Sequence, residues 1–289
     1  MSTGIEWTDE VWNPVTGCSK VSPGCAHCYA EEIHRRRLDG IHGYPPFLPW
    51  TPENAREIVV MRHDRLDLPL KWRKPRRVFV NSMSDLFHEE VTADFIIRVF
   101  VTMAQAEDHT FQILTKRPER MRNLLNDSIF ELKVRDKAEL DQGTGWQCPW
   151  PLPNVWIGTS IENRRFIDRA DALRETPAAL RFISAEPLLG PLIRPDSYHS
   201  LHLVSDGDWG DGYLGPDLDL WHIDWLIVGG ESGAKHRPIE TNWVRDLREA
   251  AIAHHTAFFF KQWGGHQPGS NGRELDGRTW DQIPTTEAA

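Results

Sequence analysis

Six short runs of β-branched and aromatic residues constrain this chain more than any other feature. They are Arg77–Ser82, Thr110–Thr115, Val155–Ser160, Leu180–Ser184, Trp225–Gly229 and Ala257–Lys261. Each is nearly continuous in apolar character and ends in small or polar residues. Continuous runs, unlike alternating ones, fit strands covered on both faces, as in parallel sheets. Helical patterns lie between them. Thr92 is placed to cap a helix with Phe95, Ile96, Val99, Phe100 and Met103 on one face. Asn163 is placed to cap another, with Phe166, Ile167, Ala170 and Leu173 inward. A third runs from about Asn242, with Trp243, Leu247 and Ala251 spaced at four residues. Shorter helices follow at Ala30–Leu38 and Glu119–Leu125, and a first strand is expected around Val11–Val15. Six or seven strand–helix units in 289 residues predict an α/β fold, a partial or complete (βα) TIM-type barrel with mostly parallel strands. An open doubly wound sheet is the alternative.

The expected organisation is one barrel domain over residues 1–269, with a polar tail at 270–289. Two stretches read as insertions, near 126–153 and 194–222. The first contains Cys148. The second carries Asp206, Asp208, Asp211, Asp217 and Asp219 without the ligand spacing of a calcium loop. No run approaches the 18 or so apolar residues a membrane span needs, and no signal sequence opens the chain. A cytoplasmic protein with no membrane partner is expected. The net charge of −9 argues against wholesale coating of nucleic acid, though not against a local basic channel.

Three of the four cysteines, Cys18, Cys25 and Cys28, fall in one Gly- and Pro-containing loop, GCSKVSPGCAHC. A cytoplasmic chain seldom uses disulfides, so clustered thiols point first to a metal. Structural zinc takes four protein ligands, and so ordinarily does a cubane iron–sulfur cluster. Three thiolates would leave one iron of a [4Fe-4S] cluster open to chelate S-adenosylmethionine. A one-electron reductant would then yield the deoxyadenosyl radical, with the cofactor carrying the hard chemistry. The competing assignment is a Cys3His zinc knob, with His27, His34 or His88 as fourth ligand.

The loop resembles that of the radical S-adenosylmethionine superfamily, in which the cysteine loop follows the first barrel strand. That superfamily usually spaces its cysteines Cys-x3-Cys-x2-Cys; here the first gap is six residues. The resemblance places His27, just before the third cysteine, and Tyr29, just after it, near the adenine. More closely, the stretches WNPVTGCSKVSPGCAHCYAE, NSMSDLFHE, QILTKRPERM, NVWIGTSIEN, RFISAEPLLGP, DWLIVGGESG and FFFKQWG resemble a phage and prophage three-cysteine-motif protein family. Gly229-Gly230-Glu231 resembles the superfamily's GGE motif, which helps hold the methionyl amine, but here it follows a late strand. The bland alternative for it is a tight turn.

Barrel chemistry sits at the C-terminal strand ends. The polar residues found there include Asn81, Ser82, Ser84, Asp85, Thr115, Lys116, Arg117, Ser160, Glu162, Ser184, Glu186, Glu231, Lys261 and Gln262. Ser82, Ser160, Glu162, Glu186 and Glu231 are candidates for cofactor contact. Lys116, Arg117 and Lys261 are candidates for substrate contact, with Arg suited to bidentate binding of a carboxylate or phosphate. Structural ion pairs among these same groups are the alternative. Arg62–Arg77 holds seven Lys or Arg and Trp72, a composition able to track a phosphate backbone and stack a base, or simply to be a solvated connection. DNA, a nucleotide or a modified base is therefore the expected substrate class. A nucleic-acid or host-protein binder without radical chemistry is the second expectation, and a hydrolase using the glutamates the third.

Overall fold

Pro14 lacks a backbone donor and so cannot continue a ladder. The first strand accordingly stops short of it, in a computed structural model that describes residues 4–143, 146–194 and 217–285. Strand β1 is Glu10–Trp12, and Val15–Thr16 forms a separate short strand, β2. The single strand expected over Val11–Val15 is thus two strands in two sheets. Helix α1 (Tyr29–Ile33) runs into a turn of π-helix at His34–Leu38. Helix α2 (Ala55–Ile58) leads to β3 (Val60–Met61), which pairs antiparallel with β2.

The chain falls into two compact units, Met1–Thr159 with Glu175–Arg181, and Ser160–Arg174 with Phe182–Ala289. In the first, β4 (Arg77–Val80), α3 (Ala93–Gln105), β5 (Thr110–Thr115), α4 (Pro118–Leu125), α5 (Ser128–Gln142) and β6 (Val155–Ser160) follow in order. β1 pairs parallel with β4, β4 with β5, and β5 with β6, so chain order and sheet order agree. β6 is buried at every residue, as its unbroken apolar run required. Thr92 caps α3, its Oγ1 accepting from the Phe95 amide at 3.3 Å. Phe95, Ile96, Val99, Phe100 and Met103 are buried, as their spacing predicts. The stretch at 126–153 carries α5, started by Asp127, whose carboxylate accepts from the Ile129 amide at 2.9 Å. Cys148 is buried there, and burial pushes its thiol up to about 11.

The second unit contains α6 (Arg169–Arg174), β7 (Leu180–Ala185), β8 (Trp225–Gly229), α7 (Thr241–Ala253) and β9 (Ala257–Gln262). β7 pairs parallel with β8, and β8 with β9. Asn163 caps a 3-10 turn and not the α-helix itself; α6 begins later, at Arg169. In α7 the buried stripe is Val244, Leu247 and Ala251, with Trp243 half-buried beside it. Asp217 and Asp219 spend their carboxylates on Arg164, Arg194 and Arg174. Asp206, Asp208 and Asp211 lie outside the described residues. The architecture is thus mixed α/β, with four parallel strands in the first unit and three in the second. No helix among the described residues is long and apolar enough to cross a membrane.

Candidate functional site

The cysteine loop is positioned by its glycine. Gly17 has φ +82°, and a Cβ there would lie 1.9 Å from the Ile58 carbonyl oxygen. Only a residue without a side chain fits so close to backbone. The Gly17 amide donates to the Met83 carbonyl at 3.0 Å, tying the loop to the segment after β4. Pro23 opens a 3-10 turn ending at Cys25, and Cys28 caps α1. All three thiols are free and half-buried. Burial pushes the Cys18 thiol up to about 12, with Asp85 adding and Arg117 opposing. The Cys28 thiol is also raised, chiefly by burial, while backbone N–H groups and the Lys116 ammonium pull the other way.

Arg117 reaches this loop because of the proline after it. A residue before proline is kept out of the helical region. Arg117 accordingly has φ −125° and ψ 56°, and α4 starts at Pro118. Its amide donates to Thr115 Oγ1 at 2.9 Å. Its guanidinium, 5% exposed, is spent completely. Nε–H is shared between the Glu89 oxygens at 3.0 and 2.9 Å. Nη1 donates to Cys18 Sγ at 3.6 Å and to Asp85 Oδ2 at 3.2 Å. Nη2 donates to the Ser19 carbonyl at 3.3 Å and to Ser19 Oγ at 3.1 Å. A guanidinium has five N–H donors, and none is left over here for a substrate. Asp85 is equally occupied, accepting from Phe87 N, Thr115 Oγ1, Lys116 N and Arg117. Burial alone would depress the Arg117 pKa, but the charges of Asp85, Cys18 and Glu89 outweigh it and raise it.

The three histidines weighed as a fourth ligand differ in their surroundings. The Glu90 amide donates to His88 Nδ1 at 3.1 Å, which assigns the proton to Nε2, 2.8 Å from Ser19 Oγ. Burial and Arg117 both lower the His88 pKa, keeping it neutral. His34 is fully buried and has both ring nitrogens engaged, by Trp50 Nε1 at 3.1 Å and the Pro45 carbonyl at 2.9 Å. His27 is exposed. Neither His34 nor His88 can ligate without giving up a hydrogen bond. As the side chains stand, no group of three or more His, Cys, Asp and Glu among the described residues is placed to hold a metal ion. A cluster makes a different demand, since its thiolates bind separate irons.

Tyr29 and Ser82, both expected near a cofactor, do meet. The Tyr29 hydroxyl donates to the Ser82 carbonyl, and Ser82 Oγ accepts from Asn13 Nδ2 at 3.3 Å. Asn81 is a turn residue with φ 64°, its Oδ1 accepting from the Val15 amide at 3.2 Å. The remaining candidates belong to the second unit. Glu162 is fully buried and pairs with Arg169 at 3.1 Å; the same Arg169 donates to the Ser160 carbonyl at 2.8 Å. Glu186 pairs with Lys261 at 2.5 Å, and Glu231 with Arg237. The Glu231–Arg237 contact has no counterpart in the sequence reading. Its signal was an arginine six residues on, across a loop.

The basic stretch after residue 62 is largely absorbed by the fold. Arg62 pairs with Asp64, Arg76 with Glu10, and Arg77 with Asp9, while Arg65 donates to the carbonyls of Asn13 and His42. Trp72 lies against Arg76 and His109. Lys71, Arg73 and Lys74 stay exposed.

No curated protein and no solved structure matches this chain. A family model described as a protein of unknown function (DUF5131) matches residues 2–284, and the chain belongs to that family.

Proposed function

We propose that the chain is a radical S-adenosylmethionine enzyme whose Cys18, Cys25 and Cys28 hold a [4Fe-4S] cluster. The observation that carries this reading is geometric. Three free, half-buried thiols lie on one loop that Gly17 sets tightly against Ile58, and the Cys18 sulfur already accepts from the Arg117 guanidinium at 3.6 Å. The donor set fits such a cluster: three thiolates on one loop, while His34 and His88 could join them only by giving up a hydrogen bond. That cost counts against these two histidines as the fourth ligand of a zinc knob. When bound, the cluster and its S-adenosylmethionine would supply a one-electron cleavage giving a 5′-deoxyadenosyl radical, driven by an external reductant.

This chain's own residues do the holding and shielding. Gly17 sets the loop against Ile58, and Pro23 and Cys28 fix the turns between ligands. Tyr29, with its hydroxyl held by Ser82, presents a ring next to Cys28 on which an adenine could stack, and His27 stands on the other side of that cysteine. The parallel strands of both units are of the kind a partial (βα) barrel uses. The resemblance to phage and prophage three-cysteine proteins favours DNA, a nucleotide or a modified base as substrate, in a reducing cytoplasm. The three exposed cations at Lys71, Arg73 and Lys74 are what the basic stretch still offers such a ligand.

The test is the iron, sulfide and zinc content of protein purified without oxygen, beside Cys25→Ala. About four iron and four sulfide per chain, lost in the variant, is the expected result. Reduced wild type should then release 5′-deoxyadenosine from S-adenosylmethionine, faster with the right nucleic acid present. One zinc per chain and no sulfide would overturn the reading.

A further inference from the structure

We infer that Arg117 is a positioning residue for the cluster ligand Cys18 and sets the redox poise of the cluster, in place of the substrate-binding role its position after β5 suggested. The inference rests on the cluster reading above and deepens it. Its basis is the complete occupation of the guanidinium. A substrate clamp needs at least two parallel N–H groups turned toward the ligand. All five of Arg117 are turned toward Glu89, Asp85, Ser19 and Cys18.

Two carboxylates fix the guanidinium, Glu89 at Nε and Asp85 at Nη1. Asp85 is itself held by three other donors, the amides of Phe87 and Lys116 and the Thr115 hydroxyl, and cannot follow Arg117 if it moves. Ser19 fixes Nη2 through both its carbonyl and its hydroxyl. The hydroxyl is itself gripped by His88 Nε2 at 2.8 Å. What remains is the Nη1–H aimed at Cys18 Sγ. A frame so closed leaves one outcome for that donor: it meets the sulfur whether the sulfur carries a proton or a metal.

Hydrogen bonds to cluster sulfurs and nearby positive charge favour the more reduced, more negative state. Arg117 therefore raises the potential of the cluster and makes it easier for a reductant to load. Lys116, which acts on Cys28 through space without a hydrogen bond to it among those described, does the same more weakly.

The experiment is a potentiometric titration of the reconstituted wild type, Arg117→Met and Arg117→Lys, followed by electron paramagnetic resonance, with iron and sulfide measured on each. Arg117→Met should hold its cluster at a potential lower by at least about 59 mV, a tenfold change in the one-electron equilibrium. Arg117→Lys keeps a charge opposite Asp85 but loses the fork, and should fall by less. It stands in if the methionine variant does not fold. The wild type supplies an independent readout: protein grown on 15N-arginine should show a nitrogen coupling to the reduced cluster. Variants with full clusters at the wild-type potential, or a wild-type cluster without that coupling, would overturn this inference and leave the cluster reading intact. A wild type without iron and sulfide would overturn the cluster reading first, and this one with it.

Discussion

The cysteine loop of the first unit and the strand-end carboxylates of the second use their cations differently. In the second unit three strand-end glutamates each pair with a cation: Glu162 with Arg169, Glu186 with Lys261, and Glu231 with Arg237. In the first, one guanidinium, Arg117, is shared between two carboxylates, Asp85 and Glu89, and also donates to the Cys18 sulfur. Closed pairs are what a fold needs to bury polar groups, because an unpaired buried charge is costly. Arg117 is as closed as those pairs, but one of its donors ends on a thiol sulfur, which the pairs of the second unit do not offer. Polar residues at strand ends thus do not form one structural class.

Three experiments bear on that contrast. The largest effect is expected at the closed pair of the second unit. Arg169→Met leaves Glu162 buried without its cation and should cost about 3–5 kcal/mol, measured by urea unfolding. The double variant Arg169→Met with Glu162→Gln should recover a good part of that loss. Failure of the double variant to recover would mean that the pair is not the unit of stability, and the contrast would lose half its basis. Gly17→Ala in the first unit comes next. It places a Cβ 1.9 Å from the Ile58 oxygen at a positive φ, and should cost about 2–3 kcal/mol. It should also lower iron and sulfide content, which Arg169→Met should leave unchanged in protein that remains folded. Equal loss of iron in both would break the contrast.

The smallest effect concerns acid. Arg245 and Arg248 pull the Asp276 carboxyl from 3.8 down to about 2. A depressed pKa means that this stabilisation is present above pH 3.8 and is lost as pH falls through about 2. Asp276→Asn should therefore flatten the acid limb of the stability profile over that window. Asp276 lies at the surface, so the difference should be small and should shrink further in salt. An unchanged acid limb would show that the surface pairs of the second unit, unlike Glu162–Arg169, contribute nothing measurable.

The elements were legible because their signals are local. The buried run Val155–Ser160, the Thr92 cap and the α3 stripe each lie within one stretch of chain, where period and capping chemistry speak directly. Local signals also explain the misses. The break between β1 and β2 turned on Pro14, inside a stretch whose apolar content alone suggested one strand. Helix α5 was hidden by its charged surface, since only Phe130, Val134 and Ala138 face inward. The α7 stripe shifted from Trp243 to Val244, because a large ring half-buried at the edge fits the same spacing as a core residue.

The three clustered thiols, the glycine and proline of their turns and the polar strand ends are legible in the sequence by itself. It also offered ion pairs of Glu162 and Glu186 with Lys116, Arg117 or Lys261 as the structural alternative; the fold makes the Glu186–Lys261 pair and gives Glu162 to Arg169 instead. Only the tertiary structure decided the fate of Arg117. Its bond to Cys18 spans 99 residues, and nothing near either position announces the other. A sequence states how many donors a side chain has; which acceptors use them up depends on loops that meet only when the strands are in register. That is why arginine after a strand reads as a substrate clamp along the chain, and as the filled neighbour of a cysteine in space.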